Sequence, residues 1–235
     1  LVSEGFTNIE LSGGTDYYNG YEHDLMELQD RFSLNYLVHN YFPPPKEPFM
    51  LNLASLNDDI YCSSIEHCRN AISLSKKIGS PKYGVHAGFL IDFKPHDAGK
   101  KIRFTSLNDR EEALNRFCAA WEKLMELAAG EVILYIENNV ISQSNKKTFG
   151  EQNPFLITDF EGYLELKNRI DFKILLDLAH LKVSCHSSSK PFFSQFNDLV
   201  ALTDYCHISG NDCHHDQNLT ILSDEQILSC LNEFE

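Results

Sequence analysis

Two hydrophobic rhythms alternate along the chain. Short runs such as Val132–Ile136 and Lys173–Leu178 are almost continuously apolar, as a strand covered on both faces must be. Longer stretches place apolar residues every three or four positions, the spacing of a helix with one buried face. The pattern predicts strands over 7–11, 35–42, 82–89, 131–138, 172–181 and 205–209. It predicts helices over 21–31, 58–78, 110–129, 158–170, 193–203 and 224–234, the last capped by Ser223. Residues 1–6 read as the end of a further helix.

Strands alternating with helices imply βαβ units and a parallel sheet. Six strands, with a helix remnant before the first and a helix after the last, match a (β/α)8 TIM barrel lacking its first and last strands. The competing arrangement is a six-stranded doubly wound sheet. Low-complexity segments are confined to Pro43–Pro45 and Ser187–Ser189, and a single domain over 1–235 is expected.

The polar residues that interrupt the rhythm decide between these. His39 ends NYLVH, His86 ends KYGVH and Glu137 ends VILYIE. Asp177 and His180 end KILLDLAH, with Lys182 just beyond, and His207 ends DYCH. Each predicted strand from the second onward therefore carries a His, Asp or Glu at its C-terminal end, the edge where α/β sheets bind ligands. In a barrel these side chains converge on one axis.

A lone histidine at a strand end is usually structural. Glu137 and Asp177 differ because apolar neighbours embed both carboxylates, and a buried carboxylate needs a cation partner. Carboxylate and imidazole donors without a thiolate cluster suit a divalent ion such as Mn, Zn, Co or Mg in an open catalytic site. His214, His215 and Asp216 follow in the loop after His207 and read equally as a solvated loop or as neighbours of the metal. His23, His67 and His96 read as surface residues, and Gly13–Gly14 as a turn. Phe42–Pro45 makes a rigid apolar loop over the same rim, able to shape a substrate pocket.

Composition narrows the partners. The 235 residues are 43% hydrophobic and 23% charged, ordinary for a globular chain. No apolar run nears the roughly 18–20 residues of a membrane span. With 34 acidic against 20 basic residues, the net charge of −14 opposes phosphate backbones, so neither nucleic acid nor membrane is expected as a partner. Seven cysteines without a CxxC pair read as reduced, mostly buried thiols of a cytoplasmic protein, and a reactive or ligating thiol at Cys213 in the His/Asp-rich loop is the less favoured reading. No signal peptide is evident, and because the chain opens on Leu1, its start is not expected to be that of the natural gene product.

The blocks NIELSGG, VHNYFPPP, LNLAS, VHAGF, YIENN, LLDLAHLKVS and HISGND resemble those of the xylose isomerase-like TIM barrels. That superfamily holds sugar isomerases and epimerases together with endonuclease-IV-like AP endonucleases, and the resemblance spans Asn8 to Glu235. In its sugar-isomerising members, Glu, Asp, His and a final Glu on successive strands hold one divalent metal. Glu137, Asp177 and His207 match the first three. His180 matches the histidine that contacts substrate, with Lys182 beside it. The fourth ligand belongs to a last strand, and Glu235 could serve only if that strand began there. In the AP endonucleases further histidines hold three zincs. His39 and His86 match two of them, but Asp216-Gln217-Asn218 has Asn where a later Asp-x-His motif has His.

The resemblance implies a metal-dependent isomerase or epimerase of a sugar or sugar derivative, working by enediolate-type proton transfer. Glu137 would move the proton, while His180 and Lys182 would hold substrate oxygens. A multinuclear-metal phosphoesterase and a non-catalytic barrel with a degraded site are the alternatives. An open barrel edge would favour association into a homo-oligomer.

Overall fold

A computed structural model describes residues 1–231. Six parallel strands run in the order β1 (Asn8–Leu11), β2 (Asn35–His39), β3 (Lys82–His86), β4 (Ile133–Glu137), β5 (Lys173–Asp177) and β6 (Cys206–His207). Consecutive strands are neighbours, as in the arc of a TIM barrel and unlike a doubly wound sheet, whose strand order reverses. Among the described residues, β1 and β6 pair on one side only.

Helices α1 (Tyr21–Phe32), α2 (Asp58–Ile78), α3 (Arg110–Ala128), α4 (Gln143–Phe149), α5 (Phe160–Lys167), α6 (Leu178–Ser187), α7 (Phe192–Val200) and α8 (Glu225–Cys230) connect or follow the strands. Helix α2 buries Cys68, Ala71, Ile72, Leu74 and Ile78. Helix α3 buries Leu114, Phe117, Trp121 and Leu124. These stripes meet strand residues Val38, Val85, Leu134 and Ile174 in one apolar core. Asn57 caps α2 by accepting from the N–H groups of Asp59 and Ile60, and Gly79 ends it at φ 67°, where glycine carries no Cβ penalty.

The strands are shorter than the apolar runs. The run over 172–181 splits at Asp177, whose carboxylate caps α6 by accepting from the His180 N–H. The run over 205–209 pairs only at Cys206–His207. Helix α4 was not anticipated from the pattern. Helix α8 is capped by Asp224 rather than Ser223, and its expected continuation over 232–234, like Glu235, lies outside the described residues. His67 is a correction. It is buried on α2, with Nε2 2.9 Å from the Asn40 carbonyl, rather than a surface residue. No disulfide joins the seven cysteines; Cys68, Cys185 and Cys230 are buried and Cys62 is exposed. No helix among the described residues is long and apolar enough to cross a membrane.

Candidate metal centre

Register places the chemistry. His86 pairs with Glu137 across β3 and β4, and Asp177 pairs with His207 across β5 and β6. His39 closes β2 one strand away. Gly84 makes room beneath them: a Cβ there would meet the Leu175 side chain at 2.8 Å and the His39 ring at 3.2 Å.

Glu137 is the hub, with only 1% of its surface exposed. His39 Nε2 lies 2.6 Å from Oε2, and His207 Nδ1 lies 3.0 Å from Oε1. His86 Nδ1 lies 3.3 Å from Oε2, too poorly aligned for a hydrogen bond, and this buried nitrogen has no other partner. Burial alone would raise the Glu137 carboxyl. The surrounding imidazoles, His86 and His39 foremost, outweigh it and hold the carboxyl well below its usual range. Asp177 is raised, chiefly by burial. Burial dominates at His86, pushing it down to about 4.

His180 is held in one orientation. Its Nδ1 lies 2.8 Å from the Asn138 carbonyl, which can only accept, so Nδ1 carries the proton. Nε2 is left facing Asp216 Oδ2 at 3.3 Å and Asp177 Oδ2 at 3.9 Å. Asn138 also clamps the two strand ends, accepting from the Asp177 N–H and donating to its carbonyl.

Glu10 on β1 belongs to this centre, although strand-end reading missed it. Its Oε1 lies 2.9 Å from His207 Nε2, and Tyr205 donates its hydroxyl to the same carboxylate. His207 thus sits between two carboxylates, Nδ1 toward Glu137 and Nε2 toward Glu10. Burial opposes the charge on His207, but these two carboxylates raise its imidazole to about 10. The signal was present in NIEL: Ile9 and Leu11 pack against the core, so Glu10 takes the other face of the strand, the inner one.

Three donor groups have ligand atoms within 4.8 Å of one another: Glu10, His39 and His207; His39, His86 and Glu137; and Glu137, Asp177 and His180. Ligands at about 2.0–2.2 Å from one ion stand at most about 4.4 Å apart, so these groups are close to the spacing an ion requires. The donor set and the unpartnered His86 Nδ1 therefore fit a divalent cation. Asp216, uncertain from sequence, joins the centre through His180, and its Oδ1 is buried without a partner. His215 instead pairs with Asp212 on the surface. Lys182 is not brought to the centre. Its Nζ is tied to Asp224 Oδ2 at 2.5 Å and to the Asn211 carbonyl, so no free ammonium faces a substrate oxygen.

The cluster floors an open cavity of about 590 Å³ reached by Ser12, Asn40 and Asn218. The loop Phe42–Pro45 does not line it, although Tyr41 does.

No curated protein matches the sequence significantly. Solved structures share the fold. A D-tagatose 3-epimerase-like protein aligns at TM-score 0.69 and 21% identity, over 98% of this chain and 79% of its own. The E. coli 3-keto-D-glucoside 4-epimerase aligns at 0.63 and 12% identity, over 98% and 79%. An L-ribulose 3-epimerase aligns at 0.57 and 18% identity, over 88% and 61%. A family model described as xylose isomerase-like TIM barrel matches residues 1–222, and the chain belongs to that family.

Proposed function

We propose that the chain is a metal-dependent isomerase or epimerase of a sugar or sugar derivative. The observation that carries this reading is Glu137, a fully buried carboxylate kept ionised among imidazoles at the C-terminal edge of the sheet. Buried carboxylates survive only with such partners, and strongly perturbed groups in a cleft mark sites of chemistry. The epimerases that share the fold support the sugar class.

A divalent ion held there would supply Lewis-acid polarisation of the substrate carbonyl. Glu137, Asp177 and His207 would hold it, with His180 Nε2 and Asp216 beside it. Glu137 accepts the proton from the carbon next to the carbonyl, and the bonding pair moves to the carbonyl oxygen. His180 bears on that oxygen as charge develops. Return of the proton to the former carbonyl carbon, with the neighbouring hydroxyl passing its own proton to the oxygen that was the carbonyl, gives an isomer, and Glu137 alone serves the carbon-bound proton. Return to the opposite face of the carbon that lost it gives an epimer and needs a second acid.

Exchange in deuterated water tests this. With manganese and D-fructose, wild-type protein is expected to place deuterium on a carbon next to the carbonyl, and Glu137→Gln to lose at least about 100-fold in rate. Undiminished exchange in Glu137→Gln would overturn the assignment.

The group His39–His86–Glu137 favours a second reading, a phosphoesterase with more than one metal. That reading requires two or more ions per chain and hydrolysis of a phosphate ester such as 4-nitrophenyl phosphate.

A further inference from the structure

A second cavity opens beside the metal centre, and the sugar-isomerase reading leaves it unused. It measures about 250 Å³ and is the more enclosed of the two. Asn40, Tyr41, His86, His180 and Asp216 line both cavities, so the two are continuous at the cluster. Ligand sites usually run to about 300–1,000 Å³, so a cavity this small suits one substituent of a ligand better than a whole ligand.

Its far walls are mainly apolar. Phe89, Phe93 and Phe155 pack edge to face, with centroids 5.2 and 5.8 Å apart, and Met50, Ile102 and Val140 add to them, beside the polar Asn139, Ser142 and Asn145. Among the described residues that line it, Lys100 is the only lysine or arginine. A phosphate would call for several cations or convergent N–H groups, whereas the adjoining cluster presents Glu137, Asp177 and Asp216.

The walls are built rather than collapsed. Asn52 donates to the carbonyls of Phe89 and Ile91 and to Asp92. Asn139 donates to the carbonyls of Ala87, Gly88 and Leu156. Asn145 accepts from the Ile102 N–H and donates to the Lys100 carbonyl. These bonds fix three sides of the cavity before any ligand arrives.

Asn40 stands at the junction. It is 7% exposed and takes φ +43°. Its backbone is held by the Gly84 carbonyl, which accepts from its N–H, while its own carbonyl receives Tyr83 and faces His67 Nε2. Its side-chain Oδ1 is buried without a partner, an acceptor available to a ligand hydroxyl.

We infer that this annex is a subsite for an apolar substituent, so that the substrate is a sugar carrying an aromatic or aliphatic group rather than a bare or phosphorylated sugar. The inference rests on the sugar-isomerase reading of the adjoining centre. The sugar ring lies over the cluster with a hydroxyl on Asn40 Oδ1, and the substituent enters among Phe89, Phe155 and Val140.

The test is calorimetric titration of the manganese-loaded protein with phenyl and methyl β-D-glucopyranoside. The phenyl glycoside is expected to bind at least about tenfold tighter, the gain from burying a few apolar carbons. Val140→Phe, which fills the annex, is expected to bring the ratio close to one. Met50→Ala, which widens it, is expected to keep the preference and extend it to the 2-naphthyl glycoside. Equal affinities in the wild-type protein, binding of neither glycoside, or displacement of the phenyl glycoside by an equal concentration of D-fructose 6-phosphate would overturn the subsite. The deuterium exchange into D-fructose is read separately. Exchange without a phenyl preference removes the subsite alone, whereas a phenyl preference without exchange into either D-fructose or 6-O-benzyl-D-fructose keeps the subsite and removes the isomerase.

Discussion

Glu10 and Lys182 show how a single residue's surroundings decide its role. Glu10 holds the nitrogen of His207 that faces away from Glu137 and Asp177. A carboxylate on the far nitrogen of a ligating imidazole fixes its tautomer and strengthens its donor. Glu10→Gln is therefore expected to weaken manganese binding about 10–100-fold. Equilibrium titration checks this, and unchanged affinity would place His207 outside the metal shell. Lys182 lies one helical turn from the centre along the chain, yet its charge is spent on Asp224, 42 residues on. Removing one partner of a buried ion pair leaves the other uncompensated, at about 3–5 kcal/mol. Lys182→Met should lose about that much stability in urea unfolding while keeping manganese affinity within about twofold. Full stability with lost sugar binding would restore Lys182 as a substrate contact.

These two residues also mark what the sequence could and could not show. His39, His86, Glu137, Asp177 and His207 were legible because strand ends are fixed by the apolar runs before them, whereas His180, read as part of the same strand, sits in the first turn of α6 three residues after Asp177. Glu10 was not legible, since an acidic residue alternating with Ile9 and Leu11 looks the same whether its face meets solvent or a barrel interior. The roles of Lys182 and His67 depend on partners distant in sequence, Asp224 and the Asn40 carbonyl, and no local pattern reports them.

At the level of elements, the ends of β4 and β5 do most to shape the centre. Asn138 and Asp177 exchange two hydrogen bonds, and Asp177 turns the chain straight into α6. That early turn explains why an unbroken apolar run proved to be a five-residue strand followed by a helix: both elements are buried, so hydropathy does not change between them. The segment leading into α8 is tied to α6 by Lys182 and Asp224. Burial opposes the charged form of Asp224, but Lys182 and the N–H groups of Asn211 and Ile227 outweigh it and hold its carboxyl below the usual range. A carboxyl lowered in the folded state stabilises above its unfolded value, about pH 4, and loses that contribution as pH falls through the folded value. Stability should therefore drop below about pH 4, and Asp224→Asn, less stable at neutral pH, should show a shallower loss there. An acid slope identical to wild type would show that this pair does not govern it.

Across the whole molecule, strand order β1 to β6 and the family match agree with a barrel read from alternating runs. The net charge of −14 matters here less as a total than through the carboxylates Glu10, Glu137, Asp177 and Asp216 gathered at one sheet edge. Imidazoles offset the charge of this cluster, and the proposed cation would offset it further. A ligand that binds only the folded state stabilises it by mass action, about 2.7 kcal/mol at 100 times its dissociation constant. Manganese should therefore raise the thermal midpoint of the wild-type protein and EDTA should reverse the rise. A midpoint indifferent to both would count against a folded-state metal site.

The most direct measurement is the metal content of purified protein by elemental mass spectrometry, before and after reconstitution with manganese, cobalt or zinc, beside Glu137→Gln treated identically. One divalent ion per chain, lost when Glu137 becomes Gln, is the expected result. A chain that holds no ion after reconstitution, or a Glu137→Gln variant that holds it as firmly as wild type, would contradict the metal centre on which the proposed chemistry stands.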